Sequence, residues 1–299
     1  MAFSWAVEFA TGEIGGSVME SSEILKIVGL IGFRLGRDRF KKDTMRSRGT
    51  QQHPTENGVP ERIFFDLHSH LLPGIDDGCE RIEETVACLR ELQAAGFVGS
   101  VCTPHVCVTQ FAENTPAFIE EQLQRWQSIV DREVPGYQLW TGGEVRISDH
   151  CISDLQRHDV PTIGPGRCVL IDFFGRHWPD CGWETIEYLQ SEGFQPVLAH
   201  PERMEFDEAE WDAVIDRLES LGVWLQGNLR CLSGYEGRTA LARGMNLLKA
   251  KRYRVIATDL HGTHALDERL RGLSAVEATI GEDGLMQLLH HGPKEVLGL

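Results

Sequence analysis

Three stretches of this chain share one pattern, and that pattern restricts the fold more than any other feature. From Ile82 to His105, IEETVACLRELQAAGFVGSVCTPH places Ile82, Val86, Leu89 and Leu92 on one helical face, stops at Gly96 and runs into a β-rich segment ending at His105. WETIEYLQSEGFQPVLAH breaks its helix at Gly193 and ends its strand at His200, and WDAVIDRLESLGVWLQGN breaks at Gly222 and ends at Asn228. Glycine suits a left-handed helix stop because it has no Cβ, and the apolar residues that follow begin a buried strand. The pattern predicts βαβ units.

Four further buried strands are predicted at 62–68, 138–144, 168–173 and 254–259, which makes seven with mostly helical intervals. Strands alternating with helices imply a parallel sheet, and seven of them favour closure into a barrel over an open sheet. The predicted class is therefore α/β, with a barrel domain over residues 61–299. Residues 1–60 read as a poorly ordered N-terminal extension; a true start at Met45 would look the same, and a short amphipathic helix docking on a partner is the alternative.

Charge narrows the function. Lys and Arg total 29 against 45 Asp and Glu, a net of −16, which is the wrong sign for tracking a phosphate backbone or an anionic membrane. The first 60 residues hold 8 basic and 7 acidic side chains, so the acidity belongs to the remainder. The run ILKIVGLIGF at 24–33 contains a lysine, is far shorter than the ~20 residues needed to span a bilayer, and lacks the flanks of a signal peptide. No nucleic acid and no membrane insertion are expected. Eight scattered cysteines without a CxxC pair suit reduced thiols in the cytoplasm.

The polar residues at the predicted strand ends carry the chemistry. His68, His70, His105, Glu144, Asp172, His200, Asp259 and His261 all fall at carboxyl ends, which converge on one mouth in a barrel. Each alone is more often a hydrogen-bonded filler than a ligand. Together they would bury several charges at a cost of several kcal/mol each, which divalent cations would offset. In HSH both imidazoles lie on one side of a strand, as a period of two requires, so they can grip one ion.

The motifs DLHSHLLPGIDDG, TPH, GGE, LIDF, AHPER and TDLHG, in that order, resemble the polymerase and histidinol phosphatase (PHP) superfamily. Within it they are most similar to the bacterial manganese-dependent protein-tyrosine phosphatases of capsular and exopolysaccharide synthesis. The resemblance covers residues 62 to about 299. It implies a distorted (β/α)7 TIM-like barrel with a trinuclear metal site at the carboxyl ends of the strands. It assigns His68, His70, Glu144 and Asp259 to a first ion, with Glu144 bridging to a second completed by Asp172 and His200. Asp77, His105 and His261 would hold the third. The resemblance implies three Mn²⁺, although the nitrogen and oxygen donors also suit Fe or Zn²⁺. Asp77 is characteristic of the phosphatase branch, and Asp172 departs from the more frequent glutamate or histidine.

The implied reaction is metal-assisted hydrolysis of a phosphate monoester without a covalent phosphoenzyme. Arg203 resembles the family's phosphate-binding arginine, whose planar fork suits two phosphate oxygens, with a salt bridge to Glu202 or Glu205 as its alternative. The leaving group would take a proton from a metal-held water or from Asp77. A competing motif, HCISDLQR at 150–157, fits the HCx5R pattern of cysteine phosphatases, but it lacks the glycines a phosphate loop needs and reads as a short surface helix.

The implied partner is a tyrosine-phosphorylated protein such as a cytosolic bacterial tyrosine kinase tail. Its recognition would fall to loops 106–114 and 174–178, with Arg176, His177 and Trp178 as candidate contacts, although an exposed Trp more often packs on a neighbouring loop. The segment after TPH is often basic in related phosphatases and is apolar to acidic here. The alternatives are a small-molecule PHP phosphatase, such as a histidinol-phosphatase, and a non-catalytic metal-binding regulator.

Overall fold

Every named strand pairs parallel with its neighbours. The computed structural model describes residues 62–299, so the expected extension over 1–60 lies outside the described residues. The strands are β1 (Phe64–Ser69), β2 (Phe97–Cys102), β3 (His105–Val106), β4 (Gln138–Thr141), β5 (Glu144–Arg146), β6 (Cys168–Asp172), β7 (Gln195–Ala199), β8 (Trp224–Asn228) and β9 (Tyr253–Ala257). They form one sheet in the order β1-β2-β4 and a second in the order β3-β5-β6-β7-β8-β9.

Two of the seven expected strands are thus split. The first breaks at Pro104, which has no N–H to give a ladder. The second breaks at Gly142 and Gly143, where a Cβ would lie 2.9 Å from Val101 Cγ1 and 2.7 Å from Val106 Cγ2. These interruptions divide the strands between two sheets. At the far edge a parallel bridge joins Ser69 to Leu260, flanked by Asp259 N–H to the His68 carbonyl (2.8 Å) and His70 N–H to the Leu260 carbonyl (2.9 Å).

Helices fill the intervals: α1 (Ile82–Ala94), α2 (Pro116–Glu133), α3 (Cys151–His158), α4 (Asp180–Ser191), α5 (Glu208–Ser220), α6 (Leu229–Leu232), α7 (Gly237–Lys249), α8 (Leu266–Met286) and α9 (Gly292–Leu297). The stops behave as the sequence predicts: Gly96, Gly193 and Gly222 take φ of 100°, 78° and 78°. At the other ends, Thr115 accepts from Phe118 N–H ahead of Pro116, and Asp207 accepts from Glu210 N–H, which satisfies amides the first turn leaves open.

The strands are apolar on both faces. Val169, Ile171, Leu198 and Ile256 pack with helical Leu89, Leu92, Ile186, Leu189 and Ile215. The alternate residues Leu170, Val197, Ala199 and Val255 join Leu67 and Val101 in a second cluster, which α9 plugs with Val296 and Leu297. Burial of each such side chain contributes roughly 1.5–3 kcal/mol, enough to fix register and hold the strand ends still. No helix among the described residues is long and apolar enough to cross a membrane.

Candidate metal centre

All nine predicted ligands come together at one rim: most sit at or just past the carboxyl ends of their strands, whereas His105 and Glu144 open β3 and β5, just beyond the breaks that follow β2 and β4. The end of β1 delivers His68 and His70, β3 delivers His105, β5 Glu144 and β6 Asp172; His200 follows β7, Asp259 and His261 follow β9, and Asp77 stands on the loop after β1. His200 and Asp259 adopt left-handed backbone with φ of 32° and 50°, which costs energy for residues with a Cβ and aims both side chains inward.

Four overlapping groups have donor atoms within 4.8 Å of one another: His70, Asp77, His105 and His261; His68, His200 and Asp259; His68, His70 and Glu144; and Glu144, Asp172 and His200. Glu144 is the hub. Its Oε1 lies 3.4 Å from His68 Nε2 and 3.0 Å from His200 Nε2, and its Oε2 lies 2.8 Å from His105 Nδ1. Asp259 Oδ1 is 3.3 Å from His68 Nε2 and 3.4 Å from His70 Nε2, so it reaches both imidazoles of HSH. Asp77 Oδ1 sits 3.2 Å from His105 Nε2 and 3.5 Å from His261 Nε2. Grouping differs from expectation in two respects, since His70 also belongs with Asp77, His105 and His261, and His200 also belongs with His68 and Asp259.

The donor set fits divalent cations. Both oxygens of Asp172, Oε2 of Glu144 and Nδ1 of His105 are buried without a hydrogen-bond partner, an arrangement that proteins avoid unless something else satisfies the atoms. Residues behind the cluster fix the direction of its lone pairs. Gln226 Oε1 takes the His68 Nδ1 proton at 2.9 Å and the Asp259 carbonyl takes that of His261 Nδ1 at 2.9 Å, leaving each Nε2 free to coordinate. Asp76 is buried at 2.6 Å from His70 Nδ1 and also accepts from the backbone N–H groups of Gly78 and His105. Asn228 Nδ2 donates to Asp259 Oδ2 at 2.7 Å.

Charge is strongly coupled here. Burial opposes ionisation of Glu144 and Asp259, but the facing histidines overcome it and hold both carboxyls well below the usual range. Burial and the neighbouring Glu144 push Asp172 up. Burial would lower the imidazoles, yet Asp76 and Asp259 carry His70 well above its ordinary value, and Asp77 and Glu144 raise His105 to about 9. Hydrogen bonds from His105 and His261 hold Asp77 down.

The cluster floors an open basin of ≈630 Å³. Arg203 lines it with Nη1 3.1 Å from Asp259 Oδ2, so neither expected alternative partner holds it. Glu202 is instead buried against Tyr253 Oη (2.9 Å) and Asn228 N–H (2.7 Å), and Glu205 faces Arg176 at 3.9 Å. Phe111 from loop 106–114 and Phe174 from loop 174–178 also line the basin. The rest of the second loop turns away: His177 pairs with Glu210 at 2.7 Å, and Trp178 packs on Phe173 and Trp183. Arg176, His177 and Trp178 are not among the residues lining the basin. The HCx5R motif forms α3, where burial pushes the Cys151 thiol up to about 11 and exposed Arg157 pairs with Asp154, so no thiolate faces an anion site.

Residues behind the histidines were harder to read. Asp76 was overshadowed by its neighbour Asp77, and Gln226 showed only as a polar residue inside a buried strand.

Residues 64–298 match the family described as capsular polysaccharide synthesis, CpsB/CapC. The chain belongs to that family. Among its curated relatives, tyrosine-protein phosphatase YwqE of Bacillus subtilis (strain 168) is 27% identical over 199 residues, covering 66% of this chain and 77% of the relative. Tyrosine-protein phosphatase CpsB of Streptococcus pneumoniae is 26% identical over 215 residues, covering 69% and 85%. The fold is that of solved structures of YwqE and CpsB, described as unique metal-dependent tyrosine phosphatases: TM-score 0.70, 24% identity, 78% of this chain and 94% of the solved chain.

Proposed function

We propose that this CpsB/CapC member is a metal-dependent protein-tyrosine phosphatase acting in capsule or exopolysaccharide synthesis. One observation carries the reading: nine nitrogen and oxygen ligands gather around buried, unsatisfied carboxylates at the floor of an open basin beside Arg203. Relatives named tyrosine-protein phosphatases supply the reaction class.

The finer reading is a distorted (β/α)7 barrel with three ions, Mn²⁺ by preference. His68, His70, Glu144 and Asp259 would hold the first ion; Glu144, Asp172 and His200 the second; Asp77, His105 and His261 the third. Bound cations would supply Lewis acidity, acidifying a water and neutralising phosphoryl charge. The protein's own groups do the rest. Arg203 presents its fork to phosphate oxygens while Asp259 keeps it aimed into the basin. Asp77 is the most exposed of the nine ligands, its side chain 60% exposed at the lip of the basin, and the hydrogen bonds from His105 and His261 that keep it ionised suit it to hold a cation rather than to pass a proton to a leaving phenolate. The basin's openness suits a tyrosine on a protein surface, and a cytosolic kinase tail is the proposed partner in the cytoplasm. Residues 61–299 would form the catalytic domain, with 1–60 an extension.

The test is turnover of a phosphotyrosine peptide against histidinol phosphate. Chelator should abolish peptide hydrolysis, Mn²⁺ should restore it, and Cys151→Ser should retain most of it. Preference for histidinol phosphate would assign a small-molecule phosphatase, and activity that survives chelation but dies with Cys151 would refute the metal reading.

A further inference from the structure

Four arginines reach the basin, and Arg146 alone makes no hydrogen bond among the described residues. Arg230 is tied by Nη1 to Glu236 and by Nε to Glu268, each at 2.6 Å. Arg269 donates to the carbonyls of Thr258, Asp259 and Ala265, and is therefore a brace for the β9 end. Arg203 gives Nη1 to Asp259. Arg146 differs from all three. Its Nε stands 3.0 Å from Asp172 Oδ2 without the alignment of a hydrogen bond, and its terminal nitrogens make none among the described residues.

Its placement follows from the strand. Arg146 is two residues beyond Glu144 on β5, and a period of two sends both side chains to the same face. The side chain is only 24% exposed, yet it lines the basin. Phe174 packs against it: the guanidinium carbon of Arg146 lies 4.4 Å from the ring centroid and that of Arg203 lies 5.5 Å from the same centroid. One aromatic ring therefore positions two cations at one edge of the metal cluster. A partly desolvated planar guanidinium with Asp172 at its Nε edge alone keeps its terminal nitrogens open to an anion with several oxygens.

We propose that Arg146 is a second ligand of the substrate phosphate, working with Arg203, and that Phe174 is the positioning residue for the pair. This rests on the phosphatase reading and names the chain's own recognition of the phosphoryl group. The rival role for Arg146 is purely local, to neutralise Asp172.

The two roles separate in the metal-loaded full chain. Inorganic phosphate is titrated calorimetrically, KM for a phosphotyrosine peptide is measured, and metal content is determined by mass spectrometry. Arg146→Leu should raise the phosphate Kd and the peptide KM together by roughly 10- to 100-fold, the loss expected when a hydrogen-bonded charge is removed, with metal content unchanged. Arg146→Lys should recover part of it. Phe174→Leu should weaken phosphate to a lesser degree, and Phe174→Trp should restore it; this pair decides the matter should Arg146→Leu fold poorly. Unchanged phosphate affinity in these variants, or a loss that follows metal content instead, would overturn the proposal and leave Arg146 as the partner of Asp172. A wild-type chain that binds phosphate but does not cleave phosphotyrosine would sink the functional reading alone, because the phosphate titration still judges Arg146.

Discussion

Asp76→Asn isolates the control of one ligand from the ligand itself. The carboxylate is buried, holds His70 Nδ1 at 2.6 Å, and accepts backbone N–H groups from Gly78 at 3.0 Å and His105 at 3.2 Å. Asparagine keeps the shape and one acceptor but removes the charge. Outer carboxylates behind metal-binding histidines are commonly worth about 10- to 100-fold in metal affinity, or roughly 1.4–2.7 kcal/mol. A second effect opposes the first. Asp76 is the largest influence raising His70 above its ordinary value, so below that raised pKa the wild-type chain must expel a proton before His70 can coordinate, at tenfold per pH unit. Loss of Asp76 lowers the pKa of His70 and reduces that competition. The variant's deficit should therefore be small near pH 7 and grow as pH rises toward the wild-type pKa of His70. Chelator-competition titration of one divalent cation at pH 7 and pH 9 measures it on both proteins. Equal affinities at both pH values, or a deficit that shrinks as pH rises, would refute the assignment of His70 as a ligand oriented through Asp76.

Two further outcomes are expected. At Gly78 a Cβ would fall 2.1 Å from the His70 carbonyl oxygen and 2.5 Å from its Cβ, so Gly78→Ala must push the Asp76–Asp77 loop off β1; it should cost about 1–3 kcal/mol in thermal or denaturant unfolding and lower metal content, and a variant with full stability and full metal would show the loop to be slack. His105 is raised from 6.5 to about 9, so the stability it lends the metal-free protein is complete below pH 6.5 and lost as pH rises through about 9, on the order of 3 kcal/mol at most. Thermal melts at pH 6 and 9 should show that loss in metal-free protein and less of it after loading, and a metal-free melt indifferent to pH would contradict it.

What could be read without coordinates was whatever local chemistry dictates. Gly96, Gly193 and Gly222 announced their helix stops because positive φ has one inexpensive occupant, and the strands announced themselves because both of their faces are apolar. Those two facts place His68, His105, Glu144, Asp172, His200 and Asp259 at a common rim, whatever the exact sheet topology. Pro104 and the Gly142–Gly143 pair carried the signal for the split into two sheets, though their effect depended on which strand lay beside them. Partners remote in sequence were the ones that could not be named. Arg203 has Glu202 next to it in the chain, but Glu202 is committed to Tyr253 and Asn228, and the guanidinium turns instead to Asp259. Trp178 and His177 are drawn from the mouth by Trp183 and Glu210, on helices whose approach the loop's own residues do not specify. Arg146 is a different case. The period-of-two argument that pairs His68 with His70 pairs Glu144 with Arg146 equally well, so that side chain's direction was legible; its open terminal nitrogens became visible only once the carboxylates and carbonyls holding the other basin arginines were known. The number of donors a guanidinium has left, more than motif, is therefore what separates a binding arginine from a structural one in this cluster.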